Sequence, residues 1–173
     1  MRYISYLKTP CCTLLLAEEG GALTEVSFVG RSDTGFTAGR REEEREEETP
    51  LLKEAKRQLN EYFAGTRTEF DLLLSMRGTP FQKRVWSELS KIPYGETVTY
   101  GEIAARIGNP KAGRAVGMAN HHNPVAIIVP CHRVIGAGGK LVGYGGGLDL
   151  KVQLLSFERE TAVKRKKENR ENE

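Results

Sequence analysis

Two capping boxes twenty residues apart restrict the folds open to this chain more than any other feature. Thr79-Pro80-Phe81-Gln82 and Thr99-Tyr100-Gly101-Glu102 each offer a threonine hydroxyl to a backbone N–H three residues on, and a Gln or Glu that bonds back to the threonine N–H. Two helices must therefore begin at fixed points. The first has Pro80 at its opening position and Phe81, Val85 and Leu89 at helical spacing, and Ile92-Pro93-Tyr94-Gly95 stops it. The second runs through Ile103, Ala104 and Ile107 to Gly108. Asn109-Pro110 then turns the chain into a third helix, from about Lys111 to Ala119. Two short helices joined by a Gly-Asn-Pro turn make a helix-turn-helix candidate.

That third helix is small on nearly every side: Ala112, Gly113, Ala115, Gly117 and Ala119, with Arg114 as its one long side chain. Such a helix has poor intrinsic propensity. Close packing against another helix would explain it, and so would a helix slim enough for the narrow minor groove of DNA carrying one basic finger.

Ahead of Gly78 the chain has another character. Residues 2–8, 12–18 and 22–29 read as strands, the last two separated by Glu19-Gly20-Gly21. Residues 31–49, including GRREEEREEE, read as an exposed, mobile charged loop. Thr49 caps a helix that opens at Pro50, faces inward with Leu52, Ala55, Leu59 and Phe63, and closes at Gly65. Residues 69–74 (EFDLLL) read as a further strand. The expectation is an α+β chain. A small N-terminal antiparallel sheet with a helix occupies 1–77, and a mainly helical domain with a winged-helix-like helix-turn-helix occupies 78–160. A charged, basic tail at 161–173 is frayed by default.

Charge follows the same division. Residues 1–75 carry ten basic and fourteen acidic side chains, residues 76–157 ten and four, within a net charge of +3. A basic segment joined to an acidic one suggests that one half meets a polyanion. No apolar run approaches the roughly 20 residues of a membrane span, and MRYISYLKTP lacks a secretory pattern, so a cytoplasmic protein is expected (nuclear in a eukaryote). Three cysteines argue against a disulfide framework. Cys11 and Cys12 read as small apolar strand residues. The histidines (His121, His122, His132) lack paired-ligand spacing, so neither zinc nor any other cofactor is expected.

Cys131 stands apart. Asn123-Pro124 opens an apolar run, VAIIV, that reads as a buried strand ending in Pro130-Cys131-His132-Arg133-Val134, with a Gly-rich stretch (136–147) after it. A helix bearing Leu148, Val152 and Leu155 on its inner face then delivers Glu158. A thiol needs a base to become a nucleophile, and the base needs a group to orient it. Cys131, His132 and Glu158 can fill those roles. Neighbouring side chains diverge in an extended strand, so His132 would reach the thiol through a water.

The segment Ile128-Val129-Pro130-Cys131-His132-Arg133-Val134 resembles the active-site motif of the O6-alkylguanine-DNA alkyltransferases, also called methylated-DNA–protein-cysteine methyltransferases. The resemblance extends from Gly78 to Glu158 and takes in FQKRVWSELSKIPYGETVTYGEIA, GNPKAGRAVGMANHHNP and YGGGLDLKVQLLSFE. It implies repair of duplex DNA by flipping out O6-methylguanine, with O4-methylthymine as a further candidate lesion. The alkyl group would pass irreversibly to Cys131. His132 would be the water-mediated base and Glu158 would orient it, while Tyr100 would press on the target phosphate and hydrogen-bond guanine N3. Arg114 would fill the vacated stack, and Asn123 would be a hinge between recognition helix and active-site strand. The carbonyls of Cys131 and Val134 would read the guanine amino group, Tyr144 with Gly145 and Gly146 would wall the pocket, and Asn109, Ala112 and Ala115 would lie against DNA. The partner is double-stranded DNA bound largely without sequence preference by a monomer. Gly145 and Ala126 stand where some members have serine and proline, so only the Gly145 N–H would face O6.

Three other readings compete. An alkyltransferase-like lesion sensor would lack the acceptor cysteine. A transcriptional regulator would leave PCHRV and Glu158 unexplained. A cysteine protease draws its Cys and His from separate parts of the chain.

Overall fold

A computed structural model describes residues 1–31, 43–144 and 146–173. Three strands, β1 (Arg2–Lys8), β2 (Thr13–Glu19) and β3 (Ala22–Phe28), form an antiparallel meander with a bulge at Ala17/Glu18. Their alternation sends Leu14, Leu16, Leu23, Val26 and Phe28 into the core. A fourth strand, β4 (Glu44–Glu46), joins the β1 edge in parallel, within the segment whose composition suggests only a loop. Side chains explain the pairing: Arg2 is buried between Glu25 and Glu44, its Nε donating to Glu44 at 3.0 Å. Residues 32–42 of that expected loop lie outside the described residues.

Helix α1 (Pro50–Phe63) is capped by Thr49 and buries Leu52, Ala55, Leu59 and Tyr62. The expected strand over 69–74 is reduced to one bridge, Leu23 with Leu74. Gln58 on α1 claims the backbone that a ladder would need, donating to Asp71 O at 3.0 Å and accepting from Asp71 N at 2.9 Å.

The second half begins where there is no room for a side chain, since a Cβ on Gly78 would lie 2.5 Å from Trp86. Both capping boxes form as expected, opening α2 (Pro80–Leu89) and α3 (Tyr100–Arg106). After a turn, α4 (Gly113–His121) follows and packs against α3 and α2. Strands β5 (Val98–Thr99) and β6 (Val134–Ile135) form a short parallel ladder behind it.

VAIIV is buried but is not a strand. Val125 makes one bridge with Val26, after which the chain coils tightly, with Ile127 at φ 69° and a bond from Val129 N to Val125 O of 3.0 Å. Asn123 imposes this coil by donating to Val129 O (2.8 Å) and accepting from Val125 N (3.0 Å). A left-handed β-branched residue is costly, and such a residue persists only where its surroundings over-determine it.

Helix α5 (Leu148–Glu171) runs unbroken through the segment that composition suggests is a frayed tail. Its buried face is Leu150, Lys151, Leu154, Leu155 and Glu158, whereas Leu148 and Val152 are exposed, contrary to the expected inner face. The long polar end docks by Thr161 against Gly65, Ala162 against Gly95, and Arg165 on Thr66 O.

Candidate active site

Cys131, His132 and Arg133 form a single 3-10 turn between the Asn123-tied coil and β6. A turn, and not the expected extended strand, thus sets the divergence of the Cys131 and His132 side chains. All three are buried. His132 Nε2 lies 2.7 Å from Glu158 Oε2, and its Nδ1 is buried without a hydrogen-bond partner among the described residues. With Nε2 carrying the proton toward the carboxylate, Nδ1 is left with a free lone pair inside the protein. Arg133 grips Glu158 with Nε on Oε1 (2.7 Å) and Nη2 on Oε2 (3.1 Å), and anchors to Ile92 O through Nη1 (2.8 Å).

Burial decides the resting protonation. It pushes the Cys131 thiol above its ordinary range, outweighing the hydrogen bonding of Asn123, the Lys151 charge and the hydrogen bonding of Tyr144. It pushes the His132 imidazole below its ordinary range, outweighing Glu158. Burial also raises Glu158, but His132 and Arg133 win there and hold the carboxyl well below the usual carboxylate range. At neutral pH the site therefore rests as a neutral thiol and a neutral imidazole over an ionised carboxylate. The nucleophile is latent, with its base already neutral.

The remaining expected residues fall into two groups. Asn123 and Tyr144 hydrogen-bond the Cys131 thiol and Tyr100 lies near enough to feel its charge, while Val134 follows the turn, buried in β6. Tyr100 opens α3 half-buried and its Oη donates to Val142 O at 3.1 Å. Tyr144 is buried against Phe28, with ring centroids 5.8 Å apart. Gly146 is packed so closely that a Cβ would meet Leu150 at 2.7 Å, while Arg31 donates to its carbonyl at 2.9 Å. Gly145 lies outside the described residues. The second group, Asn109, Arg114 and Ala115, is exposed around the α3–α4 turn, with Ala112 half-buried. Arg114 makes no hydrogen bond or ion pair among the described residues. Cys11 and Cys12 lie in the β1–β2 turn with sulfurs 3.6 Å apart, not in a strand.

Several residues of the site escape the sequence reading. Lys151 is buried with Nζ 5.9 Å from the Tyr100 ring centre and 6.0 Å from that of Tyr144, donating to Val142 O at 3.3 Å. Burial lowers its pKa and the Cys131 charge opposes that. Counting back from Glu158 by helical repeats reaches Leu155, Leu154 and Lys151, a periodicity that would have found it. Asn120 at the end of α4 donates to Cys131 O at 3.3 Å, and Tyr62 of α1 donates to Glu158 Oε2 at 2.6 Å. Neither leaves a local pattern in the sequence. Among the described residues no group of three or more His, Cys, Asp or Glu could hold a metal ion, and no helix is long and apolar enough to cross a membrane.

Two short helices, α3 and α4, and a buried cysteine followed by a histidine bonded to Glu158 agree with what comparison with known proteins finds. Residues 80–160 match the family model described as the 6-O-methylguanine DNA methyltransferase DNA-binding domain, and residues 1–76 match the ribonuclease-like domain of the same enzymes. The chain belongs to the 6-O-methylguanine DNA methyltransferase family. A methylated-DNA–protein-cysteine methyltransferase of Methanosarcina acetivorans is 52% identical over 157 residues, covering 90% of this chain and 97% of that protein. The constitutive Bacillus subtilis protein of the same name is 48% identical, covering 92% and 96%. The structure of Mycobacterium tuberculosis OGT in complex with DNA superposes with a TM-score of 0.83 at 49% identity, covering 92% of this chain and 94% of that one.

Proposed function

We propose that this protein repairs methylated DNA by taking the methyl group of O6-methylguanine onto Cys131 in a single, self-inactivating turnover. The supporting observation is the buried Cys131 followed directly by His132, whose Nε2 is held 2.7 Å from a Glu158 carboxylate that Arg133 grips in turn. The Cys131 proton passes to His132, through a water or on the approach of substrate. The thiolate sulfur attacks the methyl carbon in line, the carbon–O6 bond breaks with its electron pair going to the purine, and the proton that left the thiol is passed on from His132 to give neutral guanine. The thioether has no leaving group that reverses the step, so protein is consumed one for one with lesion. Lys151 stabilises the thiolate as it forms, and Asn123 and Tyr144 hydrogen-bond it. Tyr100 must give up its bond to Val142 O to reach guanine N3.

The buried thiol is reached only by a base taken out of the stack, which costs on the order of a few kcal/mol. Arg114, exposed on α4, fills the gap left behind, and the small residues about it let the helix approach the minor groove.

Intact mass measurement after mixing with an O6-methylguanine duplex tests the reading. One methyl increment, mapped to Cys131, is expected. Cys131→Ala should abolish transfer and leave duplex affinity within about twofold, because the exposed helix makes the encounter and the thiol only the bond. Stoichiometric methyl on Cys11 or Cys12 would overturn the assignment.

A further inference from the structure

Outside the basic half, a side chain of α1 enters the network behind Cys131. Tyr62 lies in the last turn of α1, wholly buried, and its hydroxyl donates to Glu158 Oε2 at 2.6 Å. That oxygen also faces His132 Nε2 at 2.7 Å and Arg133 Nη2 at 3.1 Å. A carboxylate spreads about four lone-pair sites over two oxygens, so an oxygen with three donors gives less to each. The Tyr62 ring is fixed by Phe63 (5.1 Å), Phe157 (5.7 Å), Phe70 (5.8 Å) and Tyr94 (6.2 Å), three of them edge-on. Its hydroxyl therefore cannot easily turn to another partner.

Resting on the transfer reaction proposed above, we infer that Tyr62 is a positioning residue for it: by sharing the Glu158 oxygen with His132, it draws on carboxylate charge that would otherwise fall on the imidazole, and so leaves His132 an effective acceptor for the Cys131 proton. A hydrogen bond to an ionised carboxylate favours the charged form and weakens its pull on other neighbours. Without the hydroxyl, Glu158 would bind the imidazolium more tightly and the base would be blocked by a proton at higher pH. The N-terminal half, which carries no catalytic pattern of its own, thereby takes part in the chemistry through one oxygen.

Other groups act on the same imidazole and stay in place when the hydroxyl is removed. They are Arg133 on its own turn and Lys151 on α5. Tyr94 and Tyr144 face the Tyr62 side of the network. A change in His132 titration on loss of one oxygen thus reports that oxygen.

The experiment follows the His132 ring nitrogens by NMR from about pH 5 to 9 in the wild type and in Tyr62→Phe. The rate of methyl transfer from free O6-methylguanine base is measured over the same range. The His132 midpoint should rise by about one unit, the size of one hydrogen bond to a charged group, and the acid limb of the rate should move up with it, a loss of roughly tenfold at pH values on that limb. Replacing Tyr62 by 3-fluorotyrosine keeps the shape and strengthens the donor, so the midpoint should fall; this variant decides the matter if Tyr62→Phe does not fold. An unchanged midpoint, even with a rate lowered equally at every pH, would make Tyr62 a packing residue and overturn the inference. Failure of the wild type to take up methyl would instead remove the proposed reaction, while the titration would still judge the role of Tyr62.

Discussion

A thiol's reactivity depends on its exposure as much as on its charge state, and the three cysteines separate on both. Cys11 and Cys12 are both half-buried in the β1–β2 turn, and the hydrogen bond their sulfurs share lowers the pKa of one thiol of the pair to about 6 and raises that of the other. Cys131 is buried and its thiol raised. Iodoacetamide should therefore label the Cys11–Cys12 pair before Cys131 in the DNA-free protein. Because the thiolate is the nucleophile, labelling should decline as pH falls through about 6. Peptide mapping after short exposures checks this, and earlier labelling of Cys131 would contradict the resting state drawn here. Arg114 poses a second test at this scale. Its role as a filler of the stack matters only when a duplex must be opened, so Arg114→Ala should slow repair of paired O6-methylguanine by about 1–3 kcal/mol, the size of a stacking or guanidinium contact. Reaction with the free base should hardly change. Equal losses on both substrates would mean that Arg114 supports the fold or the chemistry.

Helix α4 shows what its small residues are for. A Cβ on Gly113 would meet nothing within 4 Å, one on Gly117 would touch only the Tyr100 ring at 4.0 Å, and Ala115 is exposed. Close packing therefore does not demand Gly113, Ala115 or Gly117, whereas Ala119 is buried against Trp86; the small side chain at Ala115 faces outward. Ala115→Leu should change stability by less than about 0.5 kcal/mol, as surface substitutions do, yet weaken duplex binding severalfold. Thermal melting and a binding titration on the same preparation separate the two effects; a large loss of stability would return α4 to the role of a packed helix. Elements such as α2 and α3 were legible in the sequence because each capping box is complete within four residues. VAIIV and EFDLLL were misread as strands because distant amides, Asn123 and Gln58, take the backbone groups that a ladder would use. Cys131, His132 and Glu158 were legible as a thiol, a base and an orienting acid. Tyr62 and Asn120 were not, because only the folded chain brings them to the site.

At the scale of the molecule, the acidic half reaches the reaction centre while the basic half faces the polyanion. Tyr62 meets Glu158, Arg31 bonds Gly146 O and Asp149, and Val26 bridges Val125. The excess of acidic residues in 1–75 and of basic residues in 76–157 favours an approach of DNA to the second half, and the modest positive excess there should keep the binding weak in charge terms. The number of cations free to meet phosphate can be bounded. Of the ten basic residues in 76–157, Arg133 and Lys151 are buried in the site, Arg77 pairs with Glu19, and Lys91 with Glu88. Lys83, Arg84, Arg106, Lys111, Arg114 and Lys140 remain exposed. Arg114 is assigned to the base stack, and the others cannot all reach one duplex, so about two to four phosphates should be neutralised. Each contributes about −0.9 to the slope of log affinity against log salt, which predicts a slope of about −2 to −4 on an undamaged duplex and little dependence on its sequence. Titrations between about 50 and 200 mM salt measure it. A slope near zero would mean that phosphates do not carry the encounter. A slope near −10, the value of a protein that clamps many phosphates, would mean that basic residues outside the helical face, such as Lys164 to Lys167 on the end of α5, also lie against the DNA.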